Sequence, residues 1–251
     1  MQSGSSHQRP GPQDLISREA LVAWLRSAAP HLSVGLMAAN AMAYGAAVSE
    51  LEQAGVNLLH YDVMDGVFCP QMTAGAGLVK ATETTMLKDV HLMVDDPLSH
   101  IQAFITAGAD IVHVHAEGTR HLHRALVELD VPVVGAKSDR KIIRSVALNP
   151  GSSAELVRPV IRSLEMVTLI AVDPGWSGGS PNEATAEKVK AIRTMAREAG
   201  VDPLVCIDGG ITPTTFPMAA AMQADIIVSG SAVFKSGKSI ADNLKSLTTI
   251  E

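Results

Sequence analysis

The chain alternates short runs of consecutive apolar residues with longer stretches whose apolar residues recur at helical spacing. The continuous runs are rich in Val, Ile and Leu, which is typical of parallel strands buried on both faces. The predicted strands are 32–37, 58–64, 89–94, 111–116, 144–148, 167–173, 204–208 and 226–229. The helical stretches between them include 46–54, 97–107, 122–129, 154–162, 183–199 and 214–222, and glycine follows three of them at Gly55, Gly108 and Gly200, as expected for a helix C-cap.

Eight strand-plus-helix units predict an α/β fold in which residues 31–251 form a closed (β/α)8 TIM barrel. A doubly wound open sheet is the alternative, although it does not ordinarily need eight such regular units. Residues 1–30 read as an extension, with a disordered tail over 1–14 and a short amphipathic helix over 17–28. A charged segment over 135–141 precedes the fifth strand, and we expect it to be a solvated loop or an extra helical turn.

Composition narrows the class of protein. The formal net charge of −6 argues against nucleic acid or an anionic membrane surface as a partner. The two cysteines, Cys69 and Cys206, lie far apart, and the chain has no signal-peptide core and no apolar run as long as a membrane span. We therefore expect a cytoplasmic protein, and an anionic substrate remains compatible with the charge because backbone amides bind phosphate locally.

A histidine and a carboxylate stand two residues apart in the second predicted strand, as His60 and Asp62. Residues two apart in a strand point to the same face. His91 lies in the third predicted strand and Asp208 ends the seventh. Because the carboxyl ends of barrel strands converge, the sequence predicts one divalent metal site formed by His60, Asp62, His91 and Asp208.

Three further histidines are not predicted to bind the metal. His113 and His121 read as structural residues held by hydrogen bonds. His115 reads as a group that either supports the metal ligands from behind or lines the substrate pocket, rather than as a ligand itself.

Glycine-rich turns follow the last three predicted strands, and they point to a phosphate group. Barrels frequently bind phosphate with the loops after strands seven and eight. The turns are Asp173-Pro-Gly175-Trp-Ser-Gly178-Gly179-Ser, Asp208-Gly209-Gly210 and Ser229-Gly230-Ser231. A phosphorylated sugar anchored there would hold its reacting carbon beside the metal, where Asp62 and Asp208 are suited to remove a proton from one face and return it on the other.

Long motifs in fixed order resemble the ribulose-phosphate 3-epimerase family, from about residue 31 to the end. The segments that carry the resemblance are Leu59-His-Tyr-Asp-Val-Met-Asp-Gly66, Asp89-Val-His-Leu-Met-Val94, Ala107-Gly-Ala-Asp110, Val114-His-Ala-Glu117, Leu148-Asn-Pro150, Val172-Asp-Pro-Gly175, Ile207-Asp-Gly-Gly210 and Val228-Ser-Gly-Ser-Ala-Val-Phe234. The resemblance implies that Asp62 and Asp208 are the paired acid and base, and that one divalent ion (Zn, Fe, Mn or Co) is bound. It implies a homo-oligomer, with Met64 and Met93 beside the reaction centre, and it assigns the phosphate to Gly178, Gly179, Gly209, Gly210, Gly230 and Ser231.

The chain departs from the family pattern around the substrate. Val34 and Gly35 stand where the family usually has Pro-Ser, and the loop after strand six carries Trp176 in a changed motif. Asp173 stands where ribulose-phosphate enzymes commonly have Asn. At this position the chain resembles the allulose-6-phosphate epimerases instead. Ile170 replaces a methionine, and Cys206 replaces a glutamate.

Three functions follow as hypotheses. The first is a metal-dependent 3-epimerase that interconverts D-ribulose 5-phosphate and D-xylulose 5-phosphate by two-base proton transfer through an enediolate. The second is a 3-epimerase of another sugar phosphate, such as D-allulose 6-phosphate. The third is a phosphosugar-binding barrel without catalytic activity.

Overall fold

Eight parallel strands close into a barrel in the order in which they occur along the chain. This architecture is seen in a computed structural model that describes residues 12–15, 17–135, 140–176 and 178–248. β1 pairs with both β2 and β8, which closes the sheet and confirms the predicted TIM barrel. The strands are β1 His31–Gly35, β2 Leu58–Met64, β3 Leu87–Met93, β4 Ile111–His115, β5 Ile143–Leu148, β6 Met166–Ile170, β7 Leu204–Asp208 and β8 Ile226–Ser229.

The helices surround the barrel, and all but the first pack their apolar faces on the outside of the strands. They are α1 Arg18–Ser27, α2 Tyr44–Gln53, α3 Ala76–Ala81, α4 Leu98–Thr106, α5 Leu122–Glu128, α6 Glu183–Ala199, α7 Phe216–Ala221 and α8 Ile240–Thr248. The longest, α6, begins where the side chain of Asn182 accepts a hydrogen bond from the N–H of Thr185, and ends at Gly200 with φ of 68°. The glycine C-cap confirms the prediction for Gly200, and the Asn182 side chain adds an N-cap of the kind that asparagine favours.

The predicted helix over 154–162 is wrong in type. Residues Ala154–Ser163 form a 3₁₀ helix, and Pro159 lies inside it. Proline has no N–H to donate and its ring clashes with the carbonyl four residues earlier, so an α-helix is disfavoured here. Strand β1 ends earlier than predicted, because residues Leu36–Ala38 turn into a 3₁₀ helix. Strand β6 also ends earlier than predicted, at Ile170, although the N–H of Ala171 still bonds to the carbonyl of Asp208 on β7 (2.7 Å).

Inward-pointing side chains fill the barrel in layers. The floor, at the amino ends of the strands, is apolar and fully buried: Leu58, Leu87, Ile111, Ile143, Met166, Leu204 and Ile226. Two residues further along most strands lies a middle layer that is buried but mostly polar: Ser33, His60, Asp89, His113, Ser145, Thr168 and Cys206. Buried polar groups are costly unless they are hydrogen-bonded. The middle layer must therefore bond to itself, and it does so directly beneath the mouth of the barrel.

The amino-terminal extension seals the floor from below. The side chains of Leu21 and Leu25 on α1 are fully buried against the floor, and Arg18 pairs with Asp130 (2.9 Å) and Glu165 (3.1 Å). Disorder is expected over residues 1–14, but Pro12–Asp14 form a short 3₁₀ helix. Residues 1–11 lie outside the described part of the chain.

The charged segment before β5 falls partly outside the described residues, since 136–139 are not described. Arg140 contradicts the expectation of a solvated loop at its own position, because its side chain is fully buried and pairs with Asp110. Within the described part of the chain, no helix combines the length and hydropathy that crossing a membrane requires.

Candidate active site

A cavity of about 380 Å³ opens at the carboxyl ends of the strands. Residues from β2, β3, β6 and β7 form its base, and the loops after β6, β7 and β8 form one wall. Its lining includes Asp62, Met64, His91, Met93, Ile170, Gly178, Gly179, Asp208, Gly209, Gly210 and Ser231. Most of the residues that the sequence assigned to metal, proton transfer and phosphate thus surround one space.

The four predicted metal ligands meet at the base of this cavity. Nε2 of His60 lies 3.4 Å from Oδ1 of Asp62 and 3.7 Å from Oδ2 of Asp208. Nδ1 of His91 lies 3.6 Å and 3.2 Å from the same two oxygens. One atom from each residue therefore lies within 4.8 Å of every other, as the binding of a single cation requires.

The ring of His60 is held from below by the middle layer. Its Nδ1 lies 2.7 Å from Oδ2 of Asp89, which also accepts a hydrogen bond from the hydroxyl of Ser33 (2.6 Å). The other carboxylate oxygen of Asp89 bonds to Nε2 of His113, whose Nδ1 bonds to Thr168 (2.7 Å). Burial alone would lower the pKa of His60, but the carboxylates of Asp89 and Asp62 outweigh it and raise this pKa.

The ring of His91 is held by a different set of groups. Its Nε2 lies 2.9 Å from Nε2 of His115, and Nδ1 of His115 lies 3.1 Å from Oε2 of Glu117. Burial lowers the pKa of His115 to about 4, so this imidazole is neutral at neutral pH. Both candidate histidine ligands thus have one ring nitrogen engaged and the other turned toward the cavity.

The donor set fits a divalent cation. Nε2 of His60 and Nδ1 of His91 are buried and have no hydrogen-bond partner of ordinary geometry among the described residues. Two imidazole nitrogens and two carboxylates suit Zn²⁺ and its neighbours among the divalent transition metals. Unpartnered buried nitrogens that face two carboxylates are what such an ion would satisfy.

The two aspartates differ from the histidines in their access to the cavity. The histidine side chains are fully buried, whereas those of Asp62 and Asp208 are 27% and 15% exposed. Burial opposes ionisation of Asp62, but His60 and His91 outweigh it and lower its pKa, so this group is a carboxylate at neutral pH. Each aspartate directs one oxygen at the histidines and has a second oxygen available, as a proton carrier that is also a ligand must have.

Glycines allow the loops on the phosphate side to approach each other closely. Gly210 has φ of 67°, and a Cβ there would lie 2.2 Å from the carbonyl oxygen of Gly179. After β8, the N–H groups of Val233 and Phe234 return to the carbonyl of Gly230 in a single turn. Within the described residues, the N–H groups of Ser231 and Ala232 at the start of that turn have no acceptor. Such amides are suited to bind a phosphate group.

The placement of the other predicted residues is mixed. Met64 and Met93 line the cavity. His115 does not line it, because its side chain is fully buried behind His91, so only the supporting role remains. Gly230 is not part of the cavity lining either, and it packs against Gly35 instead. His113 is buried in the middle layer, as its structural interpretation requires.

Two carboxylates behind the histidines were missed by the sequence reasoning. Asp89 lies two residues before His91 and Glu117 two residues after His115. The strand period of two was a usable signal for Asp89, which points inward with His91. Glu117 follows the end of β4 in a 3₁₀ turn over Ala116–Gly118, where strand periodicity no longer applies.

Comparisons with known proteins agree on a family. The sequence profile of the Ribulose-phosphate 3 epimerase family matches residues 31–234. The "Putative epimerase LsrE" of Salmonella paratyphi A is 36% identical over 234 residues, which cover 92% of this chain and 90% of the relative. The "Ribulose-phosphate 3-epimerase" of Bacillus subtilis is 35% identical over 202 residues, which cover 79% of this chain and 89% of the relative.

Solved structures agree on the fold alone. KGPDC from Streptococcus mutans superposes with a TM-score of 0.59 at 14% identity, over 88% of this chain and 99% of that one. Tryptophan synthase from M. tuberculosis gives a TM-score of 0.59 at 14% identity, over 93% and 96% of the two chains.

Proposed function

The chain belongs to the ribulose-phosphate 3-epimerase family, and from that premise we propose that it is a metal-dependent enzyme that converts D-ribulose 5-phosphate to D-xylulose 5-phosphate. It is an isomerase, of the epimerases that act on carbohydrates. The observation that carries the proposal is the convergence of His60, Asp62, His91 and Asp208 at the base of one cavity.

The four residues would hold one divalent ion, with Zn²⁺, Fe²⁺, Mn²⁺ and Co²⁺ as candidates. His60 would bind through Nε2 and His91 through Nδ1, since their other ring nitrogens are engaged. Bound there, the ion would supply positive charge that polarises the C2 carbonyl of the ketose and makes the proton on C3 more acidic.

Asp62 and Asp208 act as the two bases. One carboxylate takes the proton from C3, and the electron pair of the broken C–H bond moves toward C2, giving an enediolate. The other aspartate is protonated at the start of the step, and it gives its proton to C3 from the opposite face and becomes the carboxylate, which inverts the configuration. Both aspartates border the cavity, and the buried histidines behind them keep each carboxylate in place. Met64 and Met93 limit the water that reaches the reacting carbon.

The phosphate of the substrate is held by the wall that the loops after β6, β7 and β8 form. Gly178, Gly179, Gly209 and Gly210 bring backbone to the cavity without side chains in the way. The turn that begins at Ser231 adds two N–H groups that have no acceptor among the described residues. Gly230 supports this grip indirectly, through its contact with Gly35. Backbone N–H groups bind an anion without requiring a basic side chain, which is consistent with the overall negative charge.

The decisive experiment substitutes the two bases. In Asp62→Asn and Asp208→Asn, we expect loss of turnover by at least about a thousandfold with retained fold, since an amide accepts no proton from carbon. The assay follows formation of D-xylulose 5-phosphate and uptake of solvent deuterium at C3 by NMR. Substantial residual turnover in either variant contradicts the two-base assignment.

A 3-epimerase of another ketose phosphate is the second candidate, and Gly35 favours it. A Cβ at this position would lie 3.7 Å from Oδ2 of Asp62 and make only ordinary contacts, so the glycine leaves usable space beside a proposed base. A panel that includes D-ribulose 5-phosphate and D-allulose 6-phosphate separates the two. Much faster turnover of the six-carbon substrate would replace the first assignment.

A phosphosugar-binding barrel without catalysis is the remaining alternative. Retention of two carboxylates that border the cavity counts against it, because binding alone needs no paired bases. Protein that is purified without chelator and binds no stoichiometric divalent ion would contradict both enzyme assignments. A cytoplasmic location and a homo-oligomeric state stay predictions.

A further inference from the structure

The polar groups behind His91 form a chain of three residues that ends near the surface. His91 meets His115 through two Nε2 atoms 2.9 Å apart, and His115 meets Glu117 through Nδ1 and Oε2, 3.1 Å apart. The rings of His91 and His115 are stacked, with centroids 5.0 Å apart and planes inclined by 16°. This chain differs from the support of His60, where a carboxylate contacts the ligand ring directly.

At Glu117, the member of this hydrogen-bonded series farthest from the cavity, the direction of the hydrogen bonds is fixed. Oε1 of Glu117 accepts the N–H of Asn149 (2.8 Å), and its other oxygen faces His115. Burial opposes ionisation of Glu117, but hydrogen bonds from His115, Ser152 and the Asn149 amide outweigh it and lower its pKa to about 2. An ionised carboxylate only accepts hydrogen bonds, so Nδ1 of His115 must carry its proton.

The position of the proton on His115 determines the position of the proton on His91. A neutral imidazole has one N–H, so a proton on Nδ1 of His115 makes its Nε2 an acceptor. The facing Nε2 of His91 must then donate, which leaves the lone pair of His91 on Nδ1. This is the atom that lies 3.2 Å from Asp208 and 3.6 Å from Asp62.

We propose that Glu117 is a positioning residue for the metal site, which fixes the tautomer of His115 and, through it, the nitrogen that His91 offers to the ion. The inference rests on the metal site of the proposed function. Glu117 contacts neither the cavity nor His60, Asp62, His91 or Asp208, and its influence is transmitted by the direction of two hydrogen bonds.

Two substitutions at the same position distinguish this role from packing. In Glu117→Gln the amide oxygen stays with the Asn149 N–H, so the NH₂ group faces Nδ1 of His115 and requires an acceptor there. This reverses both hydrogen bonds and moves the proton of His91 onto Nδ1. Glu117→Ala removes more packing but leaves the two tautomers unconstrained.

The test is the affinity of the whole chain for Co²⁺, measured by competition with a coloured chelator and by the visible absorption of the bound ion. Outer groups behind metal ligands typically contribute 10–100-fold in affinity. We expect E117Q to weaken Co²⁺ binding by about 10–100-fold, and E117A to weaken it less. A packing role predicts the reverse order, because glutamine is nearly isosteric with glutamate.

The outcomes separate the two proposals. Wild-type protein that binds no Co²⁺ overturns the proposed function, and with it this inference. Two other outcomes overturn the inference alone, provided that wild-type protein binds Co²⁺. In one, E117Q binds Co²⁺ as tightly as wild type does. In the other, E117A binds Co²⁺ as weakly as E117Q or more weakly. Glu155→Gln, at an exposed glutamate paired with Arg158, serves as the matched control and is expected to bind as wild type does.

A third variant covers the case in which E117Q does not fold. Glu117→Asp retains a group that only accepts hydrogen bonds, so it is expected to bind Co²⁺ more tightly than E117A does. Binding by E117D that is no tighter than that of E117A contradicts the proposal.

Discussion

Nε2 of Gln71 donates a 2.7 Å hydrogen bond to the carbonyl oxygen of Gly175 and ties the loop after β2 to the loop after β6. The two loops approach closely, since a Cβ at Gly175 would lie 2.9 Å from Pro70. The first loop follows the strand that carries His60 and Asp62, and the second carries Gly178 and Gly179. The contact therefore joins the proton-transfer side of the mouth to the proposed phosphate side.

Removing this tie is expected to impair substrate binding more than folding. The bond is exposed, so in Gln71→Ala we expect the unfolding free energy to change by less than about 1 kcal/mol. KM for the ketose phosphate should rise by up to about tenfold, because the loop after β6 is less well positioned. Steady-state kinetics and urea denaturation measure the two effects. Gln53→Ala, which removes an exposed side-chain bond to Ser49 on α2, is the control and should leave KM unchanged.

A side chain at Gly210 is expected to disrupt the phosphate side. Gly210→Ala would bring Cβ into the backbone of Gly179 and Ser180, at 2.2 Å and 2.7 Å, with φ of 67° adding strain. We expect KM to rise more than tenfold and the unfolding free energy to fall. Gly45→Ala on α2 meets nothing within 4 Å and should stabilise the helix by about 0.5–1 kcal/mol. A Gly210→Ala variant with unchanged KM would refute the proposed role of this wall.

The middle layer should be sensitive to the loss of one charge. Asp89 accepts hydrogen bonds from Ser33, His60 and His113, so Asp89→Asn places an NH₂ group against another donor. We expect a loss of about 3 kcal/mol of unfolding free energy from the unsatisfied buried groups. Ser33→Ala removes a single donor and should cost about 1 kcal/mol. Urea denaturation with chelator present measures both, and equal costs would contradict this account of the layer.

Alkaline pH should destabilise the protein through Tyr61. Its hydroxyl is buried without a hydrogen-bond partner of ordinary geometry in the described residues. Burial outweighs the opposing effect of the Thr82 side chain and, with a smaller contribution from Asp110, raises the pKa of Tyr61 from about 10 to about 12. Between these values the unfolded chain releases the phenol proton while the folded chain keeps it. Unfolding free energy therefore falls as pH rises from 10 to 12.

Tyr61→Phe isolates this contribution. At pH 7 we expect a change of less than about 1 kcal/mol, since no hydrogen bond is lost. Above pH 10 the variant should lose stability less steeply than wild type, by up to about 1.4 kcal/mol per pH unit. Urea denaturation at pH 7, 9, 10 and 11 compares the two proteins. Parallel curves above pH 10 would show that the hydroxyl does not titrate differently on folding.

The sequence was sufficient for the barrel and for the residues that meet at its mouth. Strand periodicity placed His60 and Asp62 on one face, and the convergence of strand ends brought His91 and Asp208 to them. What it could not supply was the hydrogen-bond partners. Whether Glu117 contacts His115 depends on the turn after β4, and the side chains that meet Asp89 come from three other strands.

Proline and burial account for the remaining differences. The apolar spacing over Ala154–Ser163 does not distinguish an α-helix from a 3₁₀ helix, and Pro159 decides between them. Arg140 reads as a surface cation, but its partner Asp110 is 30 residues away and buried, which local composition does not reveal.

The layered interior limits where the gene can gain or lose codons. In β2 and β3, His60, Asp62, Asp89 and His91 alternate with apolar residues that face the helices, such as Leu59, Val63, Val90 and Leu92. Deleting one residue within such a strand would shift the register and exchange the two faces. Charged groups would then enter the helix interface while apolar groups faced the barrel axis. Length variation among descendants of this chain should therefore be confined to the loops, and the eight strands should evolve by substitution alone.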